Sequence, residues 1–283
     1  MNTKTITTNN TIRMTKSSVN QLWIETAIEA AIEAGAVIMK IYKNEIEVVF
    51  KDDESPLTLA DQQANACIEN KLKPFGIPII SEETKQLPYE IRKNWNTCWI
   101  VDPLDGTKEF IKKNDEFTVN IALIENGKPK FGVIFAPALN EFYYGLVDEN
   151  VAYKTITTTE TTAANVINNS VQIFPNKDKN VLRVVGSRSH MNEETTTFMN
   201  QLEQKSGKKV SIISKGSSLK LCLVAEGAAD VYPRFAPTME WDIAAGHAIC
   251  NAVGLKVVQQ NSKDELQYNK ENLLNPYFSI TND

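Results

Sequence analysis

Apolar residues recur at helical spacing near the start of the chain. Ile24, Ile28, Ala31, Gly35, Ile38 and Tyr42 share one face, while Glu25, Glu29 and Glu33 mark others. The pattern predicts a long helix over residues 20–43 with a stop near Asn44, followed by a short strand over 45–50. After the charged, turn-like segment 51–56, Thr58 is placed to cap a helix running through Ala64, Cys67, Ile68 and Leu72, and Pro74 and Gly76 end it. Ile77-Pro78-Ile79-Ile80 reads as a short strand that terminates in Ser81-Glu82-Glu83. Cys98 to Val101 reads as the end of a buried strand. It is expected to stop at Asp102-Pro103, because proline has no N–H to give a sheet ladder.

Further on the pattern changes character. Residues 117–124, 130–135 and 141–147 alternate as strands, with turns at 126–129 and 137–140, which predicts an antiparallel meander. Residues 155–180 are rich in Thr and Asn and predict a weak strand plus loops. From there strands and helices alternate. Strands are expected over 182–186, 210–213, 229–232 and 255–258, and helices over 192–205, 219–226 and 242–253, with Gly227 and Gly254 as stops. The chain therefore divides into a flexible tail (1–17), an α+β N-terminal part (18–180) and an α/β C-terminal part (181–283).

Composition narrows the chemistry. The 283 residues carry a net charge of −5, so there is no basic footprint for a nucleic-acid duplex. The four cysteines, Cys67, Cys98, Cys222 and Cys250, form no C-x-x-C pair and lie within apolar patterns, which predicts buried, reduced thiols and a cytoplasmic location. No run approaches the ~18 apolar residues of a spanning helix, and the Thr/Asn/Ser-rich first residues lack the apolar core of a signal peptide. With only His190 and His247, a zinc–imidazole site or a triad with a histidine base has little material. Any metal chemistry falls to the acidic residues.

Those residues gather at element ends. Asp61, Glu82, Asp102, Asp105 and Asp242 each stand where a predicted strand or helix begins or ends. Hard oxygen donors without thiolate or imidazole suit Mg²⁺, which bridges carboxylates to substrate phosphate. The turn after Asp102 also offers the Leu104 carbonyl. Helix starts at Gly106-Thr107 and Gly216-Ser217-Ser218 offer N–H groups to an anion. Plainer readings stand beside these. D-P and D-G are common turns, a first-turn Asp61 is compatible with a helix-dipole role alone, and Ser217, Ser218 and Asp242 also fit as simple N-caps.

Three stretches carry a resemblance: Ser81-Glu82-Glu83, W-I-V-D-P-L-D-G-T (99–107) and E-W-D-I-A-A-G-H-A (240–248). Together, over about 22–278, they resemble the Mg²⁺-dependent, lithium-sensitive phosphatase superfamily that includes inositol monophosphatase and fructose-1,6-bisphosphatase. Within it, D-G-T-K-E-F, G-S-S-L-K-L-C-L-V-A-E-G (216–227) and Y-P-R-F (232–235) resemble the bacterial 3′(2′),5′-bisphosphate nucleotidase branch. Lys108-Glu109-Phe110 departs from the x-N-F more usual in inositol-phosphate enzymes. The resemblance implies a layered α-β-α-β-α sugar-phosphatase fold, with two or three Mg²⁺ ions. Glu82, Asp102 and the Leu104 carbonyl would hold one ion, and Asp102, Asp105 and Asp242 a second, with a third ion near Glu82. It further implies that Asp61 and Thr107 activate the attacking water and that Gly106 and Thr107 meet the scissile phosphate. Ser187 to His190, Gly216 and Lys220 would hold the nucleotide and its other phosphate. The implied reaction is hydrolysis of adenosine 3′,5′-bisphosphate, or its sulfated form, to AMP or adenosine 5′-phosphosulfate and phosphate. Inositol monophosphatase, or a related sugar-phosphate phosphatase, is the alternative within the superfamily, and a non-catalytic cation- or nucleotide-binding protein the alternative outside it. A monomer or homodimer, with or without peripheral contact at the inner membrane face, is compatible with the sequence.

Overall fold

The helix predicted from the first apolar stripe is α1 (Gln21–Tyr42), opened by Asn20, whose side chain accepts from the Leu22 N–H. All six residues of the predicted face are buried. The structure, a computed structural model, describes residues 19–44, 48–50, 56–158, 160–176, 180–186, 193–260 and 262–282. The predicted tail and the first half of the strand expected over 45–50 lie outside the described residues. After α1 come β1 (Val48–Phe50), β2 (Pro56–Thr58), α2 (Leu59–Leu72), β3 (Ile79–Ser81), α3 (Tyr89–Arg92), β4 (Thr97–Asp105) and α4 (Thr107–Ile111). The meander is β5 (Thr118–Glu125), β6 (Lys128–Ala136), β7 (Glu141–Leu146) and β8 (Val151–Ile156), followed by α5 (Ala163–Asn169) and β9 (Val171–Ile173). The remainder is β10 (Val181–Gly186), α6 (Glu193–Ser206), β11 (Lys209–Ser214), α7 (Leu219–Ala225), β12 (Val231–Arg234), α8 (Glu240–Ala252), β13 (Val257–Gln259) and β14 (Phe278–Thr281).

Five layers result. α1 and α2 cover one face of a seven-stranded sheet ordered β3-β4-β5-β6-β7-β8-β9. α7 and α8 cover the other face, a five-stranded sheet ordered β11-β10-β12-β14-β13 lies beyond them, and α6 closes the stack. The expected α-β-α-β-α layering is observed. Period-two alternation explains the seven-stranded sheet. Trp99 and Val101 of β4 join the core under α1 and α2, while Cys98 and Ile100 join the core under α8. α8 is buried almost all round, and its run of Ala244, Ala245, Gly246 and Ala248 is small enough to fit a helix between two sheets.

Four expectations need correction. β4 does not end before Pro103 but continues to Asp105 through a bulge, where proline's missing N–H is no loss. Residues 155–180 hold more order than their composition suggested. Thr162 and Asn165 form a reciprocal capping pair that opens α5, and β9 adds a seventh strand. β14, which no local pattern singled out, pairs with both β12 and β13. Cys98, Cys222 and Cys250 are buried free thiols as expected, but Cys67 is only partly buried, with its Sγ 3.7 Å from Glu33 at the α1–α2 seam. Among the described residues, no helix is long and apolar enough to cross a membrane.

Candidate metal centre and active site

A single extra residue in β4 builds the site. Thr118 and Asn120, two apart on β5, project from one face of the sheet. Asn120 pairs with Asp102 and Thr118 with Asp105, so three steps on β4 are matched to two on β5. Simple alternation would send residues 102 and 105 to opposite faces; the bulge puts both carboxylates on the face that looks toward α8. β3 runs parallel to β4 and ends beside it, delivering Glu82, whose N–H donates to the Val101 carbonyl. α8 supplies Asp242 from its first turn. Asp242 is not an N-cap, the plainer of its two sequence readings. The helix starts two residues earlier, and Asp242 reaches back to accept from the Met239 N–H at 2.8 Å.

Carboxylate oxygens of Glu82, Asp102 and Asp242 lie within 4.8 Å of one another. Asp102 is 1% exposed and accepts a hydrogen bond from the Leu104 N–H at 3.0 Å. Burial pushes its carboxyl well above the usual carboxylate range, and Glu82, Asp105, Asp242 and Asp61 push it further by repulsion. Asp242 is raised in the same way, by burial first and Asp105 second. Among the described residues, no Lys or Arg comes within the 4.0 Å of an ion pair with Asp102 or Asp242. Such a group is unfavourable as bare anions. All three donors are hard oxygens, with no thiolate or imidazole beside them, so the donor set fits a hard divalent cation.

Asp105 stands next to this trio, held from the other side. Its Oδ2 accepts from Ser217 Oγ at 2.5 Å, Ser218 N–H at 2.6 Å and Ser218 Oγ at 2.9 Å, while Oδ1 carries no hydrogen bond among the described residues. The two serines are themselves tied to the sheet. Ser217 Oγ lies 2.6 Å from Thr118 Oγ1, and Ser218 Oγ accepts from Asn120 Nδ2 at 2.9 Å and lies 2.6 Å from the Asp242 carbonyl. Ser218 is at the N-cap position of α7 yet makes no cap bond; its hydroxyl orients Asp105 and Asp242 instead. Sequence reasoning missed this relay. The available signal was Thr118 and Asn120, polar residues on an otherwise apolar strand.

Asp61 has two roles in one side chain. Its Oδ2 accepts from the Thr58 N–H at 2.7 Å and from Thr58 Oγ1 at 2.6 Å, closing the cap of α2. Its Oδ1 lies 3.3 Å from Thr107 Oγ1, which is also 3.3 Å from the Leu104 carbonyl. Burial raises the Asp61 carboxyl while the Thr58 bonds oppose that rise. The cap and the Thr107 contact are thus compatible, because they use different oxygens.

Gly106 takes φ +89°, and a Cβ there would come within 3.1 Å of the Glu116 carbonyl. Gly216 is equally confined, since a Cβ would meet Glu116 Cβ at 2.9 Å. One expectation fails at this point: the Gly216 N–H is not free for an anion, because it donates to Glu116 Oε2 at 2.8 Å. Gly216 still borders the cavity formed by Asp105, Gly106, Lys220, Arg234 and Asp242. Ser187 and His190 lie outside the described residues. His247 is fully buried between Tyr268 Oη at 2.8 Å and Glu265 Oε2 at 3.2 Å, where it holds α8 to the 265–268 segment.

Carboxylates drawn from three separate chain segments to one point, at the ends of strands in a five-layer stack, define a class of metal-centred α/β proteins. Over residues 19–277 the chain matches the inositol monophosphatase family, and it belongs to that family. Its relatives include the 3′(2′),5′-bisphosphate nucleotidase CysQ of Salmonella typhimurium, 43% identical over 262 residues, which span 91% of this chain and 99% of that protein. The protein of the same name from Escherichia coli K12 is 40% identical over the same shares. The crystal structure of CysQ from Bacteroides thetaiotaomicron, 47% identical, superposes with a TM-score of 0.82 over 91% of this chain and 96% of that one. SuhB from Bartonella henselae, at 21% identity and a TM-score of 0.68, shares the fold.

Proposed function

We propose that this protein is a Mg²⁺-dependent 3′(2′),5′-bisphosphate nucleotidase that hydrolyses adenosine 3′,5′-bisphosphate to AMP and phosphate. The observation that carries the reading is the convergence of Glu82, Asp102 and Asp242 within 4.8 Å, beside a Thr107–Asp61 contact. Relatives of 40% identity and above over nine-tenths of the chain carry that name, which supports the choice of substrate. Glu82, Asp102 and the Leu104 carbonyl would hold one ion, and Asp102, Asp105 and Asp242 a second. Bound there, Mg²⁺ supplies Lewis-acid stabilisation of the charge that develops on the transferring phosphoryl group. The protein's own residues do the rest. Thr107 orients the attacking water and Asp61, through Thr107, accepts its proton. The water oxygen forms the new P–O bond as the bond to the 3′-oxygen breaks, and that oxygen is reprotonated from solvent. Gly106 lets the backbone approach the phosphate where a side chain would block it.

The test is phosphate release by purified protein with Mg²⁺ from adenosine 3′,5′-bisphosphate and from inositol 1-phosphate. Preference for the nucleotide is expected; equal or greater turnover of the inositol ester rejects the assignment. A pH profile adds an independent check. Burial pushes the Lys220 ammonium down to about 8, so the cavity wall loses positive charge as pH rises through that value. The expected result is a fall in kcat/KM between about pH 7 and about pH 9 that is absent in Lys220→Met. Stability has the opposite sign. The folded state binds fewer protons than the unfolded chain between about 8 and 10.5, so stability rises across that window.

A further inference from the structure

Glu116, just ahead of β5, is wedged between the two loops that border the site. On one side lies the β4–α4 turn, where a Cβ on Gly106 would come within 3.1 Å of the Glu116 carbonyl; on the other lies the β11–α7 loop, where a Cβ on Gly216 would meet Glu116 Cβ at 2.9 Å. Glycine in both loops is what lets residue 116 fill the gap between them. Glu116 is 8% exposed, so its carboxylate is largely cut off from water. Its Oε2 accepts the Gly216 N–H at 2.8 Å, and its Oε1 lies 3.5 Å from Lys215 Nζ. The residue after Gly216 shows why that grip matters. Ser217 takes φ +52°, a left-handed backbone that is unfavourable for a residue with a Cβ and persists only where its surroundings hold it. This turn aims the Ser217 hydroxyl, the Ser218 N–H and the Ser218 hydroxyl at a single oxygen, Asp105 Oδ2.

We infer that Glu116 is a positioning residue for the metal centre: by gripping the Gly216 N–H it fixes the β11–α7 loop and, through Ser217 and Ser218, the direction in which Asp105 presents its other oxygen. The inference deepens the nucleotidase reading and rests on it for the assignment of Asp105 to a metal ion. Groups that orient a metal-binding carboxylate by hydrogen bonds matter nearly as much as the carboxylate itself, and Glu116 holds the loop that carries two such groups. A competing role makes Glu116 a partner of Lys215 alone. The two roles ask different things of the side chain. Pairing with Lys215 needs a charge, and an ion pair whose lysine is partly open to solvent contributes little. Gripping Gly216 needs an acceptor oxygen at glutamate's reach. Glutamine keeps the reach and loses the charge; aspartate keeps the charge and is one methylene short.

The experiment compares wild type with Glu116→Gln, Glu116→Asp and Glu116→Ala. For each it measures kcat at saturating Mg²⁺, the Mg²⁺ concentration for half-maximal phosphate release from adenosine 3′,5′-bisphosphate, and the rise in Tm that Mg²⁺ gives without substrate. Glu116→Ala is expected to lower kcat and to raise the Mg²⁺ requirement by about 10-fold each, and to shrink the Tm rise. Glu116→Gln should stay within about threefold of wild type on both kinetic measures, with Glu116→Asp closer to the alanine variant. Glu116→Asp outperforming Glu116→Gln overturns the inference in favour of the Lys215 pair. A Glu116→Ala protein that only melts earlier, with the kcat, Mg²⁺ requirement and Tm rise of wild type, overturns it in favour of a purely structural role. If Glu116→Ala does not fold, the order of the other two variants decides. Wild type that gains Tm with Mg²⁺ but releases no phosphate overturns the nucleotidase reading alone, and the Tm rise in the variants then decides the inference.

Discussion

Replacing Asp102 by asparagine is expected to abolish hydrolysis, with a loss in kcat/KM of at least ~10³-fold, while leaving the metal-free fold as stable as wild type or more so. The two halves of that expectation have one cause. Asp102 is almost fully enclosed and surrounded by Glu82, Asp105, Asp242 and Asp61, all of which disfavour its charge. Removing the charge relieves repulsion in the metal-free protein. It also removes the donor assigned to both ions, and with it transition-state stabilisation of the kind that single preorganised groups contribute at ~10² to ~10³-fold each. The hydrogen bond from the Leu104 N–H survives, since asparagine keeps an oxygen there. Thermal melts with and without Mg²⁺ give a second readout. Wild type should gain Tm with Mg²⁺ by ligand linkage, and Asp102→Asn should not. A variant that keeps both turnover and the Mg²⁺ shift would show that the cluster is not the metal centre.

Asp61→Asn separates a capping role from a catalytic one. Asparagine can still accept from the Thr58 N–H, so the α2 cap is largely retained and the melting temperature should shift little. It cannot take a proton from Thr107. Loss of a general base lowers kcat by about 10²- to 10⁴-fold, so near-wild-type stability with a collapse of kcat is the expected result. If Asp61 serves only the helix, turnover stays at the wild-type level, and the melting temperature again shifts little because asparagine keeps the cap.

Much of the fold was legible along the chain because local rules and tertiary demands agree there. α1 ends within a residue of its predicted span, since a stripe of Ile, Ala and Gly had to face the sheet whatever the sheet's order. The meander was legible for the same reason, with turns at Asn126-Gly127 and Asn140. α5 and β14 were not. Thr/Asn-rich sequence hides a short helix that a cap opens and only Ala163 and Val166 anchor in the core, and a four-residue strand is defined by the two neighbours it joins. At the site, motif order singled out Glu82, Asp102, Asp105 and Asp242, but it left Ser217 and Ser218 open between a plain cap and an anion site and expected the Gly216 N–H at an anion. Their partners, Asp105 and Glu116, lie a hundred or more residues away along the chain.

By itself the sequence determined which residue types the chemistry must use. With two histidines and no paired cysteines, only oxygen ligands remained, and these stood at the ends of predicted elements. Tertiary structure alone decided how they meet. A one-residue bulge at Pro103 turned Asp105 onto the face of Asp102, and α8, slotted between two sheets, brought Asp242 to the same point. Residue spacing fixes direction only while alternation is unbroken, and the fit of a helix between layers depends on every side chain around it.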